Sequence, residues 1–190
     1  MSVEESWAKI ECWIAQHAPE EPELPGPCTC EDLESLYERL DVRLPEDVEQ
    51  SLLRHDGSGL TEILPPGYTL LGIERILENR ATWLKYATPD DANLAEEDKP
   101  FLVPVAELSV EKLMVDTRTG RLGSWDIEQG YFSSTDPLRA SLSAALDFVG
   151  NLLDSPRPWI LPLPGGGELE ATDMDLDFPG TLVWTEEPLD

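Results

Sequence analysis

The sequence His55-Asp56-Gly57 is the one place where an imidazole and a carboxylate are near neighbours along the chain. General acid-base catalysis needs a base within hydrogen-bonding reach of its partner group. Adjacent residues at a helix end rarely face each other, and Gly57 has the character of a helix stop. We therefore predict a capping or packing role for this triplet and no catalytic residue in the chain.

Two further groups of residues resemble metal ligands. Asp173, Asp175 and Asp177 alternate as in a calcium loop, but the glycine at loop position six and the glutamate at position twelve are missing. This pattern favours a solvated acidic run over weak divalent binding. Cys28 and Cys30 are one residue apart, whereas zinc sites use spacings of two to four, and the chain has only two histidines. We predict no metal and no cofactor.

Two glycine-containing segments have simpler explanations than a ligand site. Residues 165–167 are three glycines between a proline and a glutamate, without the Gly-Lys-Ser/Thr sequence that opens a phosphate-binding helix. The segment Asp116-Thr-Arg-Thr-Gly120 has the composition of a tight hairpin turn. The first therefore predicts a linker, and the second a turn.

Net charge is the strongest compositional signal. Thirteen basic and thirty-nine acidic residues give a net charge of −26, with a sequence pI near 4.1. Nucleic acids and anionic membranes recruit Lys and Arg, so this charge argues against both as partners. It favours a basic protein partner, because complementary charge accelerates association. Acidity that serves only solubility is the alternative explanation.

The N-terminal residues lack the basic and apolar stretches of a signal peptide, and no stretch approaches the roughly 18 apolar residues of a membrane span. Three cysteines, an odd number, fit reduced thiols. We therefore expect a cytoplasmic protein. Nine Arg against four Lys, with abundant Ala, Gly and Pro, point to a GC-rich bacterial source.

Apolar residues at helical spacing predict three helices in the first third of the chain. The first covers residues 6–18; Thr29 and Asp32 form a capping box for the second, and Pro45 opens the third. Later segments predict strands at 60–64, 68–71, 101–106, 112–116 and 121–125, with a helix from Ile73 toward Trp83. Asp136 and Pro137 are predicted to open a closing helix that runs to Leu153.

This order predicts an α+β fold, with a mainly antiparallel β-sheet flanked by N-terminal helices and a closing C-terminal helix. We expect Trp7, Trp13, Trp83 and Trp125 to lie in its core. Residues 1–154 form the predicted domain, and residues 155–190 a Pro/Gly-rich acidic C-terminal tail. Within the tail, Trp159 and Trp184 are candidate docking points on the domain.

The order of several short motifs is similar to that of a known superfamily. They include Asp32-Leu-Glu-Ser-Leu-Tyr-Glu-Arg-Leu40, Leu44-Pro-Glu-Asp-Val48, Leu52-Leu-Arg-His-Asp-Gly57 and Val115-Asp-Thr-Arg-Thr-Gly120. From about residue 6 to 153 the chain resembles the SUKH superfamily, in its branch similar to the fungal Smi and Knr cell-wall assembly regulators. The Leu-Pro-Glu-Asp and His-Asp-Gly block is the most specific part of the resemblance.

The resemblance implies a non-enzymatic protein-binding scaffold. Bacterial members of the superfamily are associated with immunity to polymorphic toxins, and fungal members act as regulators through protein contacts. The leading hypothesis is an immunity-type protein whose acidic surface occludes the basic surface of a toxin domain, and the alternative is a regulatory interaction scaffold. Candidate contact residues are the acids around the sheet and its loops, namely Asp56, Glu62, Asp90, Asp91, Asp126 and Glu128.

Overall fold

The structure, a computed structural model, describes residues 1–86, 94–126, 130–134, 137–155, 159–163 and 167–171, together with Leu182 and Trp184. These residues form α-helices and antiparallel β-strands in the predicted α+β arrangement, which is confirmed. The N-terminal helices come first, and a helix closes the domain after the sheet. No helix among the described residues is long and apolar enough to cross a membrane.

The helices and strands have the following bounds. The helices are α1 (Val3–His17), α2 (Cys30–Leu40), α3 (Glu46–Arg54), α4 (Ile73–Tyr86) and α5 (Leu142–Leu153). The strands are β1 (Glu62–Leu64), β2 (Tyr68–Leu70), β3 (Leu102–Leu108), β4 (Glu111–Asp116), β5 (Leu122–Asp126), β6 (Gly130–Ser133), β7 (Trp159–Leu163) and β8 (Gly167–Ala171). Short 3-10 turns cover Lys99–Phe101 and Pro137–Arg139.

Strands β1 to β6 form one antiparallel sheet in which spatial order follows chain order. Strand β1 is therefore one edge of this sheet and β6 the other. Strands β7 and β8 pair with each other in a separate two-stranded sheet. Most neighbouring strands of this meander are joined by short connections, but helix α4 lies between β2 and β3.

Both faces of the six-stranded sheet are covered. Val115 pairs with Leu122 on the face that joins the main core with α1, α3 and α5, where Trp7 and Trp13 also lie. The opposite face carries Met114, which packs in a second cluster with Trp83 of α4 and with Trp125. All four tryptophans predicted for the core are buried, so that prediction is confirmed.

The starts of two helices and the number of strands differ from the sequence-based expectations. Helix α1 begins at Val3, because Ser2 and Glu5 form a capping box that the apolar pattern alone does not reveal. Pro137 opens a 3-10 turn, and the closing helix starts at Leu142 because the Ser141 hydroxyl accepts the Ala144 N–H. Strand β6 was not predicted, since its four residues carry too little periodicity, and strands β7 and β8 were not predicted within the segment 155–190.

Polar side chains of helix α3 and of the turn after it reach three other helices. Asp47 accepts the N–H of Ser143 at the start of α5, at 2.8 Å. Ser51 accepts the indole N–H of Trp7 in α1, at 3.0 Å. Asp56, in the turn after the helix, accepts the N–H of Ile73 at the start of α4, at 2.7 Å. Each bond satisfies a buried donor or a helix N-terminus that has no partner within its own helix.

Gly57 does not end helix α3, contrary to the sequence-based expectation. The helix ends at Arg54, and Gly57 lies three residues beyond it, with φ of 82°. A Cβ atom there would lie 2.4 Å from the backbone nitrogen of Gly72 and 2.8 Å from the carbonyl oxygen of Leu70. The glycine is therefore required by close approach of two backbone segments, in addition to its left-handed conformation.

The C-terminal part of the chain contributes to the main core. Leu182 is 3% exposed and Trp184 is 6% exposed, and both belong to the main hydrophobic cluster. The Trp184 indole N–H donates to the carbonyl oxygen of Glu62 in β1, at 2.8 Å. Docking through Trp184 is thus confirmed, whereas the side chain of Trp159 lies outside the described residues. The boundary between residues 154 and 155 remains a prediction.

Replacement of Gly57 by alanine should destabilise the domain by more than about 3 kcal/mol, because the added methyl group overlaps the backbone of residues 70–72. Gly59→Ala is the matched control: its φ is also positive, at 62°, but its nearest neighbour is the Pro25 side chain at 3.6 Å. The control should lose only about 1–2 kcal/mol from backbone strain. Urea unfolding measures both; equal losses would contradict the close-approach argument.

Asp56→Ala should lower the free energy of unfolding by about 1–2 kcal/mol. The reason is that, among the described residues, Asp56 is the side chain that accepts a hydrogen bond from the N-terminus of α4. Glu38→Ala removes an exposed carboxylate on α2 and should change stability by less than about 0.5 kcal/mol. Thermal and urea unfolding of the two variants provide the comparison. An Asp56 variant as stable as the Glu38 variant would show that the cap contributes nothing.

Candidate functional site

The imidazole of His55 packs inside a polar contact network. Its Nδ1 lies 2.6 Å from the carbonyl oxygen of Pro25, and its Nε2 lies 2.9 Å from a carboxylate oxygen of Glu11. The ring lies edge-on to Trp7, with 4.8 Å between ring centroids. Both ring nitrogens face oxygen acceptors of the same chain, so the predicted packing role is confirmed.

The carboxylate next to His55 in sequence is directed elsewhere. Asp56 caps α4, and its backbone N–H donates to the carbonyl oxygen of Gly26 at 2.9 Å. The carboxylate that does contact His55 is Glu11, which also accepts two hydrogen bonds from Arg54 at 2.6 and 2.7 Å. The Arg54 guanidinium holds the pKa of Glu11 below its usual value. This network joins α1 to the end of α3.

The cysteines do not converge in the structure. Cys28 is buried, and burial raises the pKa of its thiol to about 11. Cys12 and Cys30 are exposed, and all three are free thiols. Among the described residues no group of three or more potential ligands could hold a metal ion. Asp173, Asp175 and Asp177 and the glycines at 165–166 lie outside the described residues.

The acids proposed as partner contacts fall into two groups. Asp90, Asp91 and Glu128 lie outside the described residues. Asp56, Glu62 and Asp126 are described, and each is half-buried. Their role in binding a partner remains a prediction.

The three described acids have different local environments. Asp56 is committed to the α4 cap, and Asp126 ends strand β5 opposite Gly130. Glu62 lies on the edge strand β1, where burial raises the pKa of its carboxyl and the negative charge of Glu21 raises it further. A carboxylate that is already desolvated within its own chain gives less long-range attraction than an exposed one.

Most of the described basic side chains form ion pairs or hydrogen bonds within the chain. Within the part of the chain that the structure describes, seven of the thirteen basic residues pair with a carboxylate within 4.0 Å, namely Lys9, Arg43, Arg54, Arg75, Lys99, Lys112 and Arg118. Two others bind backbone carbonyl groups. Arg80 is buried and donates to Lys99 and Pro100, and its desolvation lowers its pKa to about 10; Arg121 donates to Ser134. The surplus negative charge therefore remains on the surface.

Helix α2 presents part of this surplus as a continuous stripe. Leu33, Leu36 and Leu40 face the core, so the spacing of three and four residues places Glu31, Glu34 and Glu38 on the opposite side, where all three are exposed. We call these three residues the α2 acidic face. The only cation paired with it among the described ion pairs is Arg43, which lies 3.6 Å from Glu34 with both side chains about 70% exposed. Such a contact neutralises little charge.

Sequence reasoning placed the candidate contacts around the sheet and missed the α2 acidic face. The signal was present, because the apolar period that predicts the helix also fixes which residues point outward. Glu31, Glu34 and Glu38 follow directly from that period. What the sequence did not provide was the distribution of cations, since several ion pairs, such as Lys9–Asp154 and Arg54–Glu11, join residues that are distant along the chain.

Comparisons with known proteins agree with this architecture. The model of the SMI1 / KNR4 family (SUKH-1) matches residues 27–136, more than half of the chain. The matched range begins before α2 and ends after β6, so α1 and α5 lie outside it. The sequence-based resemblance over residues 6–153 was thus wider than the range that the family model matches.

Several fungal proteins are similar to part of the chain. A KNR4/SMI1 homolog of Yarrowia lipolytica is 41% identical over 90 residues, which is 45% of this chain and 13% of that protein. A glucan synthesis regulatory protein of Neurospora crassa is 36% identical over 85 residues, 43% of this chain and 16% of that protein. The cell wall biosynthesis/cell cycle regulator smi1 of Schizosaccharomyces pombe is 37% identical over 89 residues, 45% and 18% respectively.

The chain therefore spans less than a fifth of the length of these relatives, and the similarity concerns one domain of each. The family match, the α+β fold and the motif order from Asp32 to Gly120 are consistent with one another. This chain belongs to the SMI1 / KNR4 family (SUKH-1).

Proposed function

We propose that this chain is a non-enzymatic protein-binding domain that recognises a basic protein through exposed carboxylates, with the α2 acidic face as the first contact surface. The observation that carries the proposal is that, among the described residues, basic side chains are mostly paired, whereas many acidic side chains are not. Most of the described cations are paired within the chain, whereas Glu31, Glu34 and Glu38 project from one side of a helix, where the described ion pairs give them a single weak counter-ion. A net charge of −26 extends their attraction beyond direct contact.

The first version of this function is immunity to a toxin. A toxin that acts on nucleic acid has a basic cleft for phosphates, and an acidic helix face can enter such a cleft and exclude the substrate. Occlusion requires no chemistry from this chain. It predicts a single dominant partner with high positive charge.

The second version is a regulatory interaction scaffold, and the names of the fungal relatives support it equally well. Two of them are named as regulators, one of glucan synthesis and one of cell wall biosynthesis and the cell cycle. A scaffold predicts several partners with more varied charge. The two versions share the binding surface and differ in the partner.

A pull-down with the immobilised full-length chain from a lysate of the source organism distinguishes them. One basic protein that is retained at about 50 mM salt and released at about 500 mM salt supports the occlusion of a toxin. Several cell-envelope or housekeeping proteins support the scaffold. Retention that does not respond to salt would contradict binding by electrostatic attraction in both versions.

Neutralising the α2 acidic face should weaken capture of the salt-released partner by about tenfold or more, because three contact charges are lost together. The variant combines Glu31→Gln, Glu34→Gln and Glu38→Gln. Its matched control combines Glu4→Gln, Glu74→Gln and Glu97→Gln, three exposed acids from other parts of the surface. Both variants have the same net charge, so equal losses would show that the total charge matters and the α2 acidic face does not.

The association rate of the wild-type chain with that partner should fall clearly between low and physiological salt, since long-range attraction is screened within about 8–10 Å. Surface plasmon resonance at a series of salt concentrations measures it. The dissociation rate should change much less. An association rate independent of salt would remove electrostatic steering from the proposal.

A further inference from the structure

The described residues Leu182 and Trp184 are held against the domain by two directional contacts as well as by burial. The backbone N–H of Leu182 donates to Oε1 of Glu21 at 2.7 Å. The indole N–H of Trp184 donates to the Glu62 carbonyl oxygen at 2.8 Å. The first contact binds the backbone of Leu182, and the second binds the side chain of Trp184.

The receiving surface is built by residues far from this segment in sequence. Glu21 lies in the connector after α1, and its second oxygen accepts the hydroxyl of Thr61 at 3.0 Å. Thr61 is 1% exposed, so the carboxylate is oriented by a buried partner. Glu62 follows in β1, the edge strand of the six-stranded sheet. We call Glu21, Thr61 and Glu62 the edge site.

The edge site has the features of a peptide-binding site. An exposed sheet edge with polar groups in fixed positions binds extended segments in many proteins. Residues two positions apart in an extended chain point to the same side, so one segment can bury both Leu182 and Trp184. The bound segment supplies a large apolar area, with one backbone and one indole donor.

Electrostatic attraction does not explain this docking. The edge site carries two carboxyl groups, and residues 178–190 contain three acidic residues and no basic one. Apolar burial and hydrogen bonds must therefore offset repulsion between two negative surfaces. This distinguishes the edge site from the α2 acidic face, whose expected partner is basic.

We propose that the edge site is a binding site for short extended peptides of the pattern hydrophobic–X–Trp, and that Leu182 and Trp184 occupy it intramolecularly. A partner peptide of this pattern gains access only when the chain's own segment leaves. The chain's own segment thus competes with a partner peptide for the edge site. The inference uses a surface different from that of the proposed function and does not depend on it.

The test adds the segment back as a separate molecule. A fluorescein-labelled peptide of residues 178–190 is titrated with full-length wild-type chain and with the full-length Trp184→Ala variant, and binding is followed by fluorescence anisotropy. The peptide should bind the variant at least about tenfold more tightly than the wild type, because the tethered segment competes at an effective concentration in the millimolar range. Equal binding to both chains, or binding to neither, would overturn the proposal.

Two controls localise the binding. A peptide in which the tryptophan is replaced by alanine should bind neither chain. In the Trp184→Ala background, Glu21→Ala should weaken peptide binding by about tenfold through loss of a charged acceptor, whereas Glu23→Ala, an exposed acid two residues away, should leave it unchanged. Equal effects of the Glu21 and Glu23 changes would place the peptide elsewhere.

Salt distinguishes this site from the proposed function. Binding of the acidic peptide should strengthen or stay constant as salt rises, because screening reduces repulsion. Capture of a basic partner should weaken under the same conditions. A peptide that is released by salt would contradict the edge-site proposal without affecting the α2 acidic face.

Amide hydrogen exchange of the wild-type chain tests the site even where Trp184→Ala impairs folding. The Leu182 amide should exchange much more slowly than a free peptide, and Glu21→Ala should remove that protection while the amides of β4 keep theirs. Unprotected exchange of Leu182 in the wild-type chain would show that the segment does not occupy the edge site.

Discussion

The fold depends on the polar contacts that radiate from helix α3 and the turn that follows it. Asp47 and Asp56 supply acceptors for two helix N-termini, and Ser51 accepts the indole of Trp7. Buried donors are costly when they lack a partner, so these contacts specify how α1, α4 and α5 are placed around the sheet. Gly57 then allows the turn to lie directly on the backbone before α4. The Leu-Pro-Glu-Asp and His-Asp-Gly motifs are thus the structural centre of the domain.

This centre also separates the two side chains of the triplet that resembled a catalytic pair. His55 and Asp56 are adjacent in sequence, but each is held by a different element, His55 by Glu11 and the Pro25 carbonyl and Asp56 by α4. Their polar atoms are used to join elements. A scaffold with its polar groups committed in this way leaves the outer surface free to vary.

Charge and apolar area are distributed to separate surfaces. Most of the described cations pair with carboxylates or carbonyl groups of the chain, and acids such as those of the α2 acidic face remain exposed. The edge site works by burial of Leu182 and Trp184 against an acidic surrounding. The first feature is a matter of charge, which acts over a long range, and the second is a matter of burial, which requires direct contact. Both surfaces lie on the same domain. Helices α1 and α5 lie outside the family-matched range, and they pack in the main core against one face of the sheet.

The sequence by itself determined the features that depend on local pattern. Helical and alternating periods predicted the helices, most strands and the α+β class, and the Thr29–Asp32 capping box and the 116–120 turn are where composition placed them. The same local rules identified the buried tryptophans and, through motif order, the family.

Only the tertiary structure decided the features that join distant residues. Asp56 caps a helix that starts seventeen residues later, Arg75 pairs with Glu107 in a distant strand, and Glu21 receives an N–H from residue 182. Strand β6 and the start of α5 also depended on context, since strand pairing and capping outweigh weak local preference. Short-range propensity carries no information about such partners, because they are selected by the packing of the whole domain.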